Sequence, residues 1–549
     1  MVKFVFFCIC SISLLIAKPV YRIDDSSDIA IEERIAGSQI NVYIPNMPYI
    51  YLSKLINGTL VRVSDNEKGW EFMLAKDLKR EGNLIYIFDL REDIKFQDGT
   101  TFSADNVIKN FEQIKKDVNK GNTIFVERLQ SVEKLSKYKI KFTLNTPIEL
   151  FLHSLARYNI YSDKYIEKYK WGFYHNYTAN SMKEPGPYGL GPYILTEGYA
   201  TGREQTPILK LKANPFYFEK GLPHIENINI YTELSTKEVL NMIFKEEKLD
   251  IAPIPFNRKI ETLISPYTKL ITKPSVNNIS IIMNMMHNNG ILKNKKIRLA
   301  LNEAIDQKKL LKFVYKGEGN IGPTTVNVNH YSVGLATKDM LTHHEKLWKT
   351  NVAPKEHLKS ILNGLELNVY TMDAMMFLWK GIEYQLNQYG VKLNFTITNS
   401  EKELFYQLLT NREQPHSWDL LSWADDSWES KNPWSVFFHY HTYRPWSAID
   451  KDDLLQKYIE EYLQSPFNSP RFLSITKTII NHVYNQAYML FVPSPNIVIA
   501  VNKEVEYNPS ATLLMPLWKA KVTPYHWSIR KGQYPKDRQI PIRTERKKL

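Results

Sequence analysis

The residues best equipped for chemistry lie together between His416 and Trp446, in HSWDLLSWADDSWESKNPWSVFFHYHTYRPW. Trp418, Trp423, Trp428, Trp434 and Trp446 are five of the chain's 11 tryptophans, and the adjacent acids Asp425 and Asp426 sit among them. Indole rings form large, rigid walls that exclude water from whatever lies between them. A carboxylate held there stays an anion only when a cation or hydrogen-bond donors face it. An acid in an aromatic box is therefore a seat for a cationic group such as a peptide's ammonium. The plainer alternative is a set of core and rim tryptophans beside a solvated acidic turn. His416, His439 and His441 offer a third chemistry. In a strand, His439 and His441 would share one face and could ligate a metal, although the spacing is looser than in strong metal signatures. For catalysis there is less. No G-x-S-x-G, H-E-x-x-H or G-x-G-x-x-G stands in a strand–helix context. Neighbouring acids on extended backbone point apart, so Asp425 and Asp426 do not make a glycosidase pair unaided.

A chain of 549 residues exceeds one core and predicts two or three lobes. With 43% hydrophobic and 13% aromatic residues it reads as globular, not disordered. The net charge of +13 is partly local, because Arg530–Leu549 holds eight basic residues against two acids. Such a run reads as a solvated tail, and no zinc-finger, P-loop or RNA-binding signature accompanies it, so no nucleic-acid partner is expected. Phe4–Ala17, FVFFCICSISLLIA, follows a lysine and ends on a small residue. It is too short to span a membrane and predicts a secretory signal peptide cut near Ala17. Cys8 and Cys10, the two cysteines, lie inside it, so an exported chain would have neither disulfide nor thiol chemistry. Neither cysteine has the setting of a lipid anchor, and no later apolar run is long enough for a membrane span. The expectation is an exported, soluble protein.

The elements that must position the Trp-rich stretch are mixed strands and helices. Ile40–Ile44 reads as a strand stopped by Pro45 and Pro48, and Tyr51–Val63 as helix then strand, broken at Asn57-Gly58. Leu84–Leu90 is an apolar strand, and Asp98-Gly99 signals a hairpin turn. Ser103 reads as the N-cap of a helix Ala104–Ile114. Tyr138–Leu144 alternates as a half-buried strand. In Pro187–Tyr193, PYGLGPY, Gly189 and Gly191 suggest backbone shapes closed to other residues. Ile297–Val314 reads as one amphipathic helix, with Gly317 beyond its end. Gly334–Pro354 is polar and irregular; Leu365–Tyr370 and Phe395–Ile397 are strand-like, and Ala374–Gln388 and Ile475–Val483 helical. Pro493-Ser494-Pro495 marks a crossover of the chain, and Ile497–Val501 reads as a strand.

One run resembles a known signature. Leu90–Phe111, LREDIKFQDGTTFSADNVIKNF, is similar to that of the family 5 extracellular solute-binding proteins of ABC importers, the group of oligopeptide, dipeptide and nickel receptors. Later landmarks follow in order: PYGLGPY with Leu190 where Thr is usual; Asn214, Pro215 and Tyr217 between two strands; Leu249-Asp250-Ile251; and Ile297–Asp306. The Trp-rich stretch stands where that family carries its W-x-x-D ligand segment.

The resemblance implies an α/β, two-lobed periplasmic-binding-protein fold of type II, in the large peptide-receptor subclass, with an extra domain inserted in the first lobe. The expected division is a signal peptide at 1–17, lobe I at 18–58, the inserted domain at 59–175, lobe I again at 176–270, lobe II at 271–490, return strands of lobe I at 491–530 and a basic tail at 531–549. It implies a monomeric receptor that takes a small peptide, delivers it to ABC permease subunits and needs no cofactor. A nickel or metal-chelate receptor is the alternative within the family, and a secreted hydrolase the alternative outside it. Counting three from Trp423 makes Asp426 the implied ammonium acceptor, with Asp425 second. Trp423 and Trp428 would wall the pocket, and Arg412 stands where peptide receptors carry basic residues for ligand carboxylates. The run from Asp419 to Trp423 is shorter than the family's equivalent.

Overall fold

The computed structural model describes residues 34–45, 48–64, 66, 68–116, 124–169, 182–201, 204–322, 326–329, 354–411, 417–425, 437–442, 444, 446–510 and 515–534. Its frame is three sheets. A seven-stranded sheet runs in the order Thr268–Lys273, Ile497–Asn502, Ile251–Pro253, Ile35–Tyr43, Ile225–Tyr231, Ile208–Ala213, Tyr193–Glu197. A five-stranded sheet runs Lys392–Thr398, Glu366–Met372, Leu420–Asp425, Asn278–Met283, Met489–Leu490. A four-stranded antiparallel sheet joins Ala75–Glu81, Ile85–Leu90, Lys139–Leu144 and Leu129–Ser136. The small sheet falls, in sequence, between the first and second strands of the large one.

Among the described residues the chain passes between the two larger sheets twice, from Lys273 to Asn278 and from Leu490 to Ile497. The strand Thr268–Lys273 straddles the division expected at 270. The two passages run side by side, because Lys273 pairs with Ile497 in antiparallel register. Ser275 donates its hydroxyl to the Pro495 carbonyl at 2.6 Å, and Ser494 Oγ accepts from the Ile279 amide at 3.2 Å.

Period-two alternation sets the small sheet: Ile140, Phe142 and Leu144 are buried, and Lys139, Lys141 and Thr143 are not. The turn at Asp98-Gly99 forms, with Gly99 at φ 85° and the Phe96 amide on the Thr100 carbonyl at 2.8 Å. The helix after it is Ala104–Lys116, and Asn106 Oδ1 reaches back to accept the Ser103 amide at 2.9 Å. The run Ile297–Val314 differs from its reading. It makes two helices, Lys295–Glu303 and Gln307–Phe313, because Asp306 caps the second by accepting the Lys309 amide at 3.0 Å. Gly189 and Gly191 also differ, since neither has a positive φ. They are needed for close approach: a Cβ on Gly189 would sit 2.0 Å from the Ile56 carbonyl oxygen, and one on Gly191 2.5 Å from that of Leu55. Buried Gln97 locks this contact, donating to the carbonyls of Ile56 (3.0 Å) and Tyr193 (2.6 Å) and accepting the Gly189 amide (3.1 Å). The segments LREDIKFQDGT and PYGLGPY thus interlock at the end of the helix Pro48–Ile56.

Each larger unit is tied by a buried polar side chain, in one case across the sheet and in the other across helix ends. Asp250, fully buried, accepts the Asn41 amide (2.8 Å), the Asn502 side-chain amide (2.9 Å) and the Trp527 indole N–H (2.9 Å), and faces His526 Nε2 at 3.0 Å. Asn41 and Asn502 belong to strands on either side of it, so one carboxylate joins three strands and the segment near the C-terminus. In the second unit, buried Arg298 donates to the carbonyls of Leu292, Lys293, Gln486 and Ala487. That satisfies carbonyls left orphaned at the ends of two helical turns. Removing one member of a buried ionic network leaves the others unpaired. Asp250→Ala is therefore expected to lower stability by about 3–5 kcal/mol in urea unfolding, whereas Glu197→Ala, which breaks the exposed Lys210–Glu197 pair, leaves the midpoint nearly unchanged.

Candidate functional site

Register places the Trp-rich strand. Asn278 begins its strand where the chain enters the second sheet, and Asn278 pairs with Asp425 and Ser280 with Trp423, antiparallel. The carboxyl end of Leu420–Asp425 therefore lies beside the passage between sheets. Glu366–Met372 runs parallel to it and ends on the same side. In the large sheet, Ile497 starts its strand at the passage, antiparallel to Ile251–Pro253, and Ile35–Tyr43 is parallel to both Ile251–Pro253 and Ile225–Tyr231. So the carboxyl ends of the parallel strands of both sheets face the crossing. In open α/β sheets that is where ligands bind.

The strand's two faces have different duties. Leu420, Ser422 and Ala424 look one way, and Leu421 and Trp423 the other. On the first face, Leu420 and Ala424 pack with Trp379 and Val369, and the Trp379 indole N–H is shared between the hydroxyls of Thr371 (3.0 Å) and Ser422 (3.2 Å). On the second face, Trp423 is half-buried, packed with Tyr370 and Met372 against a core that contains Leu421 and Ile282. Burial, then the Glu403 carboxylate, raises the Tyr370 hydroxyl above its ordinary range, so the ring stays neutral. At the other end of the strand, fully buried Asp419 accepts the Asn368 amide at 2.7 Å and lies 2.9 Å from His287 Nδ1, which anchors the strand's register.

The crossing carries a set of asparagines that sequence reading passed over. Asn278 Oδ1 accepts the Asn327 amide, Asn327 Nδ2 donates to the Asn277 carbonyl at 2.8 Å, and Asn329 Nδ2 donates to the Ser275 carbonyl at 3.0 Å. The signal was present in the pairs Asn277-Asn278 and Asn327-Val328-Asn329. Tyr370 and Met372 were also missed, since a strand reading of Leu365–Tyr370 does not say which end lies beside the crossing.

Of the expected site residues, Trp423 is at the crossing, and Asp425 is there by its main chain. The side chain of Asp425, and all of Asp426, Trp428, Arg412 and His416, lie outside the described residues. His439 and His441 do not share a strand face. Phe438–Tyr440 is a 3-10 turn, and both histidines are buried. Among the described residues no group of three His, Cys, Asp or Glu side chains is placed to hold a metal ion. Also among them, no helix is long and apolar enough to cross a membrane.

The model for bacterial extracellular solute-binding proteins, family 5 (middle region), matches residues 70–444. The chain belongs to this family. It is 28% identical over 243 residues to the glutathione-binding protein GsiB of Escherichia coli K12, a match covering 43% of this chain and 44% of that one. The chain spans under half the length of the curated relatives it matches. The fold is similar to the murein tripeptide-binding protein MppA of Escherichia coli (TM-score 0.73, 14% identity, 90% of this chain and 99% of that one). It is also similar to the oligopeptide-binding protein AppA of Bacillus subtilis in complex with a nonapeptide (0.70, 17%, 89% and 100%) and to NikA of Staphylococcus aureus in complex with Ni(L-His)2 (0.67, 15%, 88% and 100%). These likenesses establish the two-lobed type II periplasmic-binding-protein fold, and the relatives named are binding receptors.

Two of the buried histidines, His153 and His441, set a pH dependence. Burial, with Lys68's carbonyl opposing it, lowers His153 to about 4. Burial and the nearby Arg444 and Arg128 push His441 down to about 3, while Gln456 Nε2 lies at 3.3 Å and Glu460 at 3.9 Å from its Nε2. Unfolded, both titrate near 6.5. Between 6.5 and those folded values the unfolded chain binds the extra protons. Stability is thus full above about pH 6.5 and falls with acidification, by at most about 1.4 kcal/mol per pH unit for each histidine. Urea midpoints measured from pH 7 to pH 5 should fall, and less steeply in His441→Gln.

Proposed function

We propose that this protein is the exported receptor of an ABC importer, which closes two lobes over a small peptide and passes it, unaltered, to the membrane permease. The observation that carries the reading is the register Asn278–Asp425. It puts an aromatic, acid-bearing strand end at the crossing, where the carboxyl ends of both sheets converge. Two adjacent passages are a slender connection, and lobes joined this way move as hinged bodies. Closure then draws its free energy from the cargo's preference for the closed form. The glutathione, murein-tripeptide and nonapeptide binding named for its relatives supports a peptide cargo. Buried His439 and His441 give the metal-chelate reading no support.

In this reading the small sheet is a domain inserted in the first lobe, tied to it through Gln97, and the division between lobes falls in the passages after Lys273 and after Leu490. The chain works as a monomer, without enzymatic turnover, in the periplasm after removal of residues 1–17. Asp426, with Asp425 beside it, takes the peptide's ammonium; Trp423 and Trp428 wall the pocket; Arg412 meets the carboxylate. A charge-assisted hydrogen bond to a desolvated ammonium contributes about 1.5–3 kcal/mol. Calorimetry with free and amino-acetylated tripeptides tests the assignment. Asp426→Ala should weaken the free peptide by roughly tenfold or more and leave the acetylated one almost unchanged. Equal losses would remove Asp426 from the site.

A further inference from the structure

A further contact joins the small-sheet unit to the part of the chain that follows the second sheet's strand Leu420–Asp425. The helix Ile124–Arg128 belongs to the small-sheet unit, and the helix Asp453–Gln464 follows the second sheet's strand Leu420–Asp425 in the chain. Arg128 reaches from the first helix to Glu460 on the second, N–O 2.6 Å, and also donates to the Pro147 carbonyl at 2.9 Å. In the opposite sense, Arg444 grips Glu127 with both guanidinium nitrogens, each contact 2.6 Å. Each side therefore gives one arginine and receives one. Between the pairs the Glu149 amide donates to the Leu463 carbonyl at 2.8 Å, and the His153 ring lies 4.5 Å from that of Phe467. His441 sits buried within the same seam.

We propose that the small sheet and the second lobe clasp each other through this arginine–glutamate exchange when the lobes close, so that residues that never touch the cargo raise its affinity. Two features support a clasp that opens. Glu127 and Glu460 keep 36% and 39% of their side chains exposed, so both rehydrate readily when the seam parts. Arg444 and His441 also lie on the same Trp-rich stretch as Trp423 and Asp425, so one run of chain reaches from the crossing to the seam. Reciprocal charges admit one docking register and reject a shifted one, in which like charges would meet.

The gain in cargo affinity rests on the receptor reading above; the seam itself does not, and the Glu149 amide reports it without any ligand. Its hydrogen bond crosses the seam, so its deuterium exchange measures opening. Glu127→Arg sets two cations face to face. Glu149 should then exchange roughly two- to tenfold faster, as it should in wild type when salt is raised from 0.05 to 1 M. The swap Glu127→Arg/Arg444→Glu should restore the slow rate. The amides of Lys139–Leu144, inside the small sheet, should not respond. Unchanged exchange at Glu149 in all variants overturns the clasp. So does acceleration of Lys139–Leu144 in step with Glu149, which would mark the seam as part of one cooperative fold. With the clasp confirmed, tripeptide affinity should fall roughly two- to tenfold in Glu127→Arg and recover in the swap. Wild type with no affinity for any tripeptide would refute the receptor reading alone.

Discussion

Everything in this molecule hangs on two short passages of chain, Lys273–Asn278 and Leu490–Ile497, lying against each other between two sheets. Their pairing is what turns the carboxyl ends of both sheets toward a common space. A polar seam of Ser275, Ser494 and the Asn277, Asn278, Asn327 and Asn329 group satisfies the backbone there. Hydrogen bonds from side chains to main chain keep the passages ordered, beside the buried apolar side chains of Val276, Phe491 and Val492.

Motion at one place needs rigidity elsewhere. Asp250 locks three strands of the large sheet and the segment His526–Trp527 through one buried carboxylate. Arg298 does the corresponding work in the second unit, collecting four carbonyls. Gln97 fastens the small sheet to the helix Pro48–Ile56 and to PYGLGPY. Buried and fully satisfied, such networks specify one arrangement. In the Arg128–Glu460 and Arg444–Glu127 pairs Arg128 is buried, while both glutamates stay partly hydrated, which suits a contact that forms and breaks at the carboxylates.

Periodicity made much of this legible. Alternation in Tyr138–Leu144, the turn at Asp98-Gly99 and the crossover at Pro493-Ser494-Pro495 could be read from residue types, because burial on one face, positive φ and proline leave local marks. What stayed hidden was non-local. Nothing near Gly189 says that a carbonyl from residue 56 will approach it, and Asp250 reads as a strand start until its partners arrive from residues 41, 502 and 526. The helix expected at Ile297–Val314 failed at Asp306, where capping outweighed an unbroken apolar stripe. His439 and His441 were read at strand spacing, but the chain turns there. Within the candidate site, Trp423 was named from the motif, while its neighbours Tyr370 and Met372 required the register.

The central claim is that two units joined by two passages trap a small solute by closing on it. Small-angle X-ray scattering before and after saturation with a bound tripeptide tests this directly. The account predicts a smaller radius of gyration with cargo, reversed on its removal, with the peptide recovered intact. An unchanged scattering profile with cargo bound, or a peptide recovered in fragments, would contradict it.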